Sequence, residues 1–175
     1  MRKIIYNLAL SLDGFIEDAE GRFDWCFTDQ DYGMTAFLES IDTVLFGRKS
    51  FELMLQFEAE PYPGKKKYVV SHAYNTNVPD TFVISENVAE EVQKLKEQSG
   101  KSIWLFGGAM LAGELMQTGL VDELQISLHP VLLGKGKPLF ENLTHRKNLK
   151  LTDTKTYESG LVQLRYEVMV QAESK

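Results

Sequence analysis

Two short segments constrain this chain more than any others. Val44-Leu45-Phe46-Gly47-Arg48-Lys49-Ser50-Phe51-Glu52 and Ile103-Trp104-Leu105-Phe106-Gly107-Gly108-Ala109-Met110-Leu111 each run from an apolar β-type stretch through glycine into a helical pattern. Glycine permits a tight turn and lets a ligand approach the backbone closely. A helix start presents unpaired N–H groups and the positive end of the helix dipole, which suit phosphate. Two such junctions on one sheet would hold the two ends of a dinucleotide. Arg48 and Lys49 add enough charge for one more phosphate.

The rest of the pattern alternates strand and helix. Strands are expected at Lys3 to Leu10, Thr43 to Phe46, Tyr68 to Val70, Thr81 to Ile84 and Ile103 to Phe106. Helices are expected at Tyr32 to Ser40, at Ser50 to Phe57 with Ser50 as cap, after Asn87 with Glu90 completing a capping box, and at Ala109 to Gln117. Asp13 opens a loop that runs to Trp25. The ending differs: Glu123 to Leu133, Leu149 to Tyr157 and Leu161 to Val170 read as strands with no helix between them, the last two joined by a turn at Glu158-Ser159-Gly160. This order implies one α/β domain over residues 1–175, a mostly parallel sheet with antiparallel strands added at the C-terminal side.

Composition narrows the function. The net charge of -6 argues against a nucleic-acid or anionic-membrane surface. A single cysteine, Cys26, excludes an internal disulfide framework and a multi-thiolate metal site, and a reducing, cytoplasmic location is the simplest expectation. The N-terminal apolar run breaks at Asn7 and is too short and polar for a signal peptide. The three histidines fit no metal spacing.

Each candidate residue has a plain structural reading beside the functional one. Gly47-Arg48-Lys49-Ser50 is a phosphate site or a capped helix with solvated basic residues. Gly107-Gly108 is a pyrophosphate approach or a tight packing turn. Ser71-His72 ends a strand on the side of the sheet where ligands bind in open α/β folds, or is a solvated loop. His129 lies within a strand and reads as structural. Gly134-Lys135-Gly136-Lys137-Pro138 looks like a phosphate loop, but no helix follows and a mobile turn is expected. Asp13, Asp24, Trp25, Asp29, Asp31 and Tyr32 form an acidic and aromatic first loop that would pair with a nitrogenous ring or donate a proton, or is simply a solvated acidic loop, the plainer reading for any one of these residues. Cys26 has no basic partner nearby in sequence.

Taken in order, Ser11-Leu12-Asp13-Gly14-Phe15-Ile16, Asp24-Trp25, Gly47 to Glu52, Val69-Val70-Ser71-His72 and Phe106-Gly107-Gly108 resemble the dihydrofolate reductase superfamily. Gly119-Leu120-Val121-Asp122-Glu123-Leu124 and His129-Pro130-Val131-Leu132-Leu133-Gly134-Lys135-Gly136 resemble its riboflavin-biosynthesis reductase branch, the C-terminal half of the bifunctional deaminase-reductase. The resemblance implies a mixed sheet of about eight strands with helices on both faces, NADPH as hydride donor and a small-molecule substrate. It places Gly47, Arg48, Lys49 and Ser50 at the cofactor phosphates and Ser71 and His72 at the adenosine 2′-phosphate. Phe106, Gly107, Gly108, Ala109, Met110 and Leu111, with Glu114, fall at the pyrophosphate and nicotinamide ribose, and Asn7 and Ala9 at the nicotinamide. Asp13, Asp24, Trp25 and Asp31 are the catalytic candidates. Counting back from Gly47-Arg48 puts the pterin-holding acid of dihydrofolate reductases on Asp31, whereas counting forward from Trp25 puts it on Gln30; Asp31 is adopted. The zinc signature of the deaminase half is absent, so no base deamination is expected. The implied activity is reduction of a phosphoribosylamino-pyrimidine, with Arg22, Lys135 and Lys137 as candidates for its phosphate. Dihydrofolate reduction and non-catalytic nucleotide binding are the alternatives. The antiparallel tail ends in an apolar edge strand, Tyr166 to Val170, which makes a homodimer an expectation.

Overall fold

Alternation along the strands builds the sheet. In Ile4-Ile5-Tyr6, Val44-Leu45-Phe46 and Ile103-Trp104-Leu105 successive side chains turn to opposite faces, and all of them are buried. Ile4, Tyr6, Leu45, Ile103 and Leu105 meet one apolar cluster, and Ile5, Val44, Phe46 and Trp104 meet another. A sheet buried on both faces needs helices on both sides.

The computed structural model describes residues 1–169. In chain order its elements are β1 (Ile4–Ser11), β2 (Phe15–Asp18), α1 (Met34–Ser40), β3 (Ile41–Gly47), α2 (Arg48–Met54), β4 (Lys66–Val70), β5 (Thr81–Ile84) and α3 (Val88–Glu97). There follow β6 (Ser102–Gly107), α4 (Ala109–Gln117), β7 (Glu123–His129), β8 (Gly136–Pro138), β9 (Leu149–Thr156) and β10 (Val162–Val168). The main sheet has eight strands in the order β5-β4-β3-β6-β1-β7-β10-β9. Its strands run parallel from β5 to β7, and β10 is antiparallel to both β7 and β9. Helices α3 and α4 supply Val92, Leu95, Leu111 and Leu115 to one face, while α1 and α2 supply Phe37 and Phe51 to the other.

The amino ends of the strands are fastened by charge. Buried Arg2 pairs with Asp42 and donates to Thr43 Oγ1 (2.7 Å) and the Lys101 carbonyl (2.6 Å). Buried Lys96 donates to Asp122 (2.7 Å) and the Leu120 carbonyl (2.8 Å), and Asp122 also accepts the Ile4 N–H (2.7 Å). Stabilising contacts of this type leave the carboxyl ends of the strands for other work.

Several local expectations change. Helix α2 begins directly after Gly47, which is extended (φ -73°, ψ 151°), so Ser50 lies in its first turn and is not its cap. Asn87 precedes α3 in a left-handed conformation and its side chain makes no capping bond, so the capping box does not form. Gly134 to Pro138 is not a mobile turn: Gly136–Pro138 pairs antiparallel with Phe15–Asp18, inside the segment expected to be a loop. Two backbones approach closely there, since a Cβ at Gly136 would sit 2.1 Å from the Glu17 carbonyl oxygen. Strand β10 is interior, between β7 and β9, so the expectation of an apolar edge at Tyr166 to Val170 fails; Val170 itself lies outside the described residues. The edge on this side of the sheet is β9, exposed along its whole length, and β5 forms the other.

Candidate active site

The two glycine junctions come from β3 and β6, which are neighbours in the sheet, and Phe46 pairs with Gly107. They abut. A Cβ on Gly47 would lie 3.2 Å from the Gly108 nitrogen and 3.4 Å from the Gly107 carbonyl oxygen, and one on Gly108 would lie 3.4 Å from Ser50 Oγ. Side chains at these positions would fill the cradle that the backbones form. The Gly107-Gly108 peptide is cis. Strand β4 flanks β3 with Val70 opposite Gly47, which sets Ser71 and His72 beside the start of α2.

Beyond the cradle the sheet splits. Pairing of β1 with β6 ends at Tyr6 and Leu105, whereas β1 continues to Ser11 paired only with β7. The edge of β1 facing β6 is therefore free of strand pairing beyond Tyr6 and open past Asn7, at the carboxyl ends of the strands where α/β sheets bind ligands. The Asn7 carbonyl there accepts the Trp104 indole N–H at 3.0 Å, and Ala9 lies opposite Ser127 of β7. Around the cradle Arg48 and Lys49 are exposed and Ser50 is half-buried. Arg48 Nε lies 3.4 Å from Glu52 Oε1. At the start of α4, Ala109 and Leu111 turn into the core, while Met110 and Glu114 face outward. Phe106 packs in an aromatic group with Phe46, Tyr62 and Trp104.

The first loop crosses the same end of the sheet and is anchored on His129. The Phe27 N–H donates to His129 Nε2 (3.1 Å), and His129 Nδ1 faces the Ser127 carbonyl (2.9 Å). This fixes the neutral ring with its proton on Nδ1. Burial lowers the His129 pKa, opposed by the Ser127 bond. The Trp25 and Phe27 rings stand edge-on to the imidazole, with centroids 5.3 and 5.1 Å away. Trp25 Nε1 is buried without a partner. The far end of the loop docks on the final hairpin: Tyr32 Oη bonds Asp29 and Ser159, and Gln163 Nε2 donates to the Tyr32 carbonyl (2.6 Å).

The carboxylates expected to act on substrate are placed separately. Asp13 bonds Ser11 Oγ (2.7 Å) and accepts the Leu133 and Gly134 N–H groups, the latter at 2.7 Å. The Ser11 hydroxyl and those N–H groups hold it below the usual carboxylate range. Asp31 accepts the Thr35 hydroxyl (2.7 Å) and N–H (2.9 Å) at the start of α1, and those bonds lower its pKa as well. Asp24 is exposed. Cys26 is a poor nucleophile: burial, with the charge of Asp24, pushes its thiol up to about 11. Two of the phosphate candidates are already engaged, Arg22 of the first loop with Asp18 and Glu20, and Lys137 of β8 with Glu17. Lys135 and Arg22 border an open depression of about 530 Å³ with Asp18, Glu20 and Leu133, a surface apart from the glycine cradle. Among the described residues no cluster of His, Cys, Asp and Glu is arranged to hold a metal, and no helix is long and apolar enough to cross a membrane.

The sequence reading missed the Tyr32–Ser159–Gln163 dock and the role of His129 under the first loop. The isolated His129 before Pro130 was the one visible signal for the second.

The chain is similar to known proteins in sequence and in fold. The chain is 48% identical over 177 residues to the uncharacterized protein YyaP of Bacillus subtilis, covering 94% of each chain. A putative riboflavin biosynthesis protein from Shewanella sp. PV-4 superposes with a TM-score of 0.84 at 27% identity, over 97% of this chain and 100% of that one. Dihydrofolate reductase from Enterococcus faecalis, solved with NADP(H), superposes with a TM-score of 0.67 at 20% identity, over 95% and 94%, and so shares the fold. Residues 2–163 match the RibD C-terminal domain. With its abutting glycine junctions on a dihydrofolate-reductase-like sheet, the chain belongs to the RibD C-terminal domain family.

Proposed function

We propose that this protein is an NADPH-dependent reductase acting on a small heterocyclic or phosphoribosyl substrate. Its nearest named activity is that of 5-amino-6-(5-phosphoribosylamino)uracil reductase. The observation that carries the reading is the meeting of Gly47 with Gly107-Gly108 beside the open edge of β1. A groove floored by backbone accepts a pyrophosphate where side chains would exclude it. Arg48 and Lys49, with Ser71 and His72 alongside, supply charge and polarity at one end, suited to a 2′-phosphate. The open β1 edge at the other end offers main-chain groups to a carboxamide, and the outward faces of Met110 and Glu114 border the space between.

When bound, NADPH supplies the hydride. The protein's own part is to orient both reactants and exclude water. The first loop, seated on His129 and docked through Tyr32 on Ser159, crosses this end of the sheet and serves that purpose. Asp13 and Asp31 are held ionised and committed to backbone and hydroxyl partners, which suits anchoring, not proton donation. The proton therefore comes through Asp24, Asp29 or water held by this loop. The same capping bonds on Asp31 weigh against dihydrofolate as the substrate. The expected homodimer moves to β9, the exposed edge.

Titration with NADPH and NADH, followed by nicotinamide fluorescence, tests the reading. NADPH is expected to bind more tightly than NADH, and Arg48→Ala to weaken NADPH selectively. Oxidation of NADPH by a phosphoribosylamino-pyrimidine then identifies the reaction. Binding without oxidation by any pyrimidine or pterin would favour a non-catalytic nucleotide-binding protein, and no binding of either cofactor would remove the proposal.

A further inference from the structure

We infer that Glu52 sets the cofactor preference of the cradle by restraining Arg48. The inference rests on the NADPH-binding reading above. Arg48 and Glu52 lie one turn apart on α2 with Nε and Oε1 3.4 Å apart, and both side chains are about half exposed, at 49% and 44%. The pair is not isolated on the surface. Tyr74, in the loop that follows Ser71-His72, packs edge-on against Phe51, the residue preceding Glu52, with ring centroids 6.0 Å apart. Partial burial and the Glu52 carboxylate raise the Tyr74 pKa while the Arg48 cation lowers it, so the phenol sits within reach of both charges. The loop after β4 and the exposed face of α2 thus form one cluster beside the cradle: Arg48, Glu52, Ser71, His72 and Tyr74.

This cluster places an anion where a phosphate would dock. A 2′-phosphate approaching Arg48 must compete with the Glu52 carboxylate for the guanidinium and also meets its negative charge. A ribose bearing only a 2′-hydroxyl meets neither obstacle. Glu52 therefore acts as a positioning residue that works mainly through Arg48, and it lowers discrimination between the phosphorylated and unphosphorylated cofactors. An exposed one-turn ion pair is a modest restraint, and the added repulsion is screened by salt.

The test is a set of fluorescence titrations at low salt with NADPH and with NADH on the wild type, Glu52→Gln, Arg48→Ala and the double variant. Glu52→Gln is expected to tighten NADPH on the order of threefold to tenfold while moving NADH less than about twofold. With Arg48→Ala in the background, most of that gain should disappear. Equal tightening of both cofactors, no tightening of NADPH, or a full gain persisting without Arg48 overturns the role of Glu52 and leaves the parent reading standing. A wild type that binds neither cofactor overturns both.

Discussion

Gly113 is the position in α4 where the packing can be tested most sharply. It is buried, and a Cβ built on it would lie 2.1 Å from the Glu141 carbonyl oxygen and 3.3 Å from the carbonyl carbon. A carbon and a carbonyl oxygen normally approach to about 3.3 Å, so Gly113→Ala requires an opening of about 1.2 Å. The obstacle is backbone, which cannot rotate away as a side chain would. Alanine is favoured over glycine inside a helix by about 1 kcal/mol. Overpacking a tight core costs about 1–3 kcal/mol, and a backbone obstacle belongs at the upper end. The net expectation is a loss of about 1–2 kcal/mol, or a fall in Tm of about 2–8 °C for a chain of this size. Differential scanning calorimetry measures it directly. A Tm equal to or above that of the wild type would show that α4 does not rest on Glu141 and would refute the argument. Since α4 starts immediately after Gly108, the same displacement should weaken NADPH binding.

Two further outcomes concern the first loop. Protonating His129 turns Nε2 from acceptor to donor and breaks its bond from Phe27. Its pKa is lowered on folding, so stability is full above about 6.5, the ordinary histidine value, and declines as the pH falls below it. Emission from Trp25, edge-on to the imidazole, should change over the same acid range in the wild type, and His129→Leu should abolish that step; an unaltered pH profile in the variant would assign the titration elsewhere. Asp13 is also lowered on folding, so its clamp on Leu133 and Gly134 holds above about 3.8 and is lost as the pH falls through the folded value. Asp13→Ala should accelerate hydrogen exchange at those two amides at neutral pH with little change in α3, and unchanged exchange there would show that the clamp is not what orders the loop.

The sheet was legible because its signals are local and repeated. Alternating apolar runs such as Ile103-Trp104-Leu105, punctuated by Gly47 and Gly107, name the strands and the helices that follow. The family resemblance implied the mixed sheet of about eight strands, which no single motif contains; the strand order comes from the structure. What escaped the sequence depends on distant partners. Asp13 and Asp31 look alike in a loop of acids, and only the placement of Leu133 and Thr35 shows that each is a fastener. Strand β8 is three residues long and exists because Phe15–Asp18 lies against it, so Gly134 to Pro138 alone reads as a turn. The cap expected at Ser50 failed because Gly47 enters the helix directly from an extended strand end.

The meeting of Gly47 and Gly108 also has a thermodynamic side. The cradle needs β3 and β6 in register, and the residues between them include β4, β5 and α3. An unfolded chain holds these two glycines together only by chance, so a nucleotide fitted to the cradle binds the folded form alone. Saturation at one hundred times the dissociation constant then adds about 2.7 kcal/mol to the stability of the whole sheet. Melting temperature becomes a readout of affinity that requires no turnover. A shift measured with a cofactor, and a further shift when a candidate substrate is added, would rank ligands for this fold by the order they impose on it.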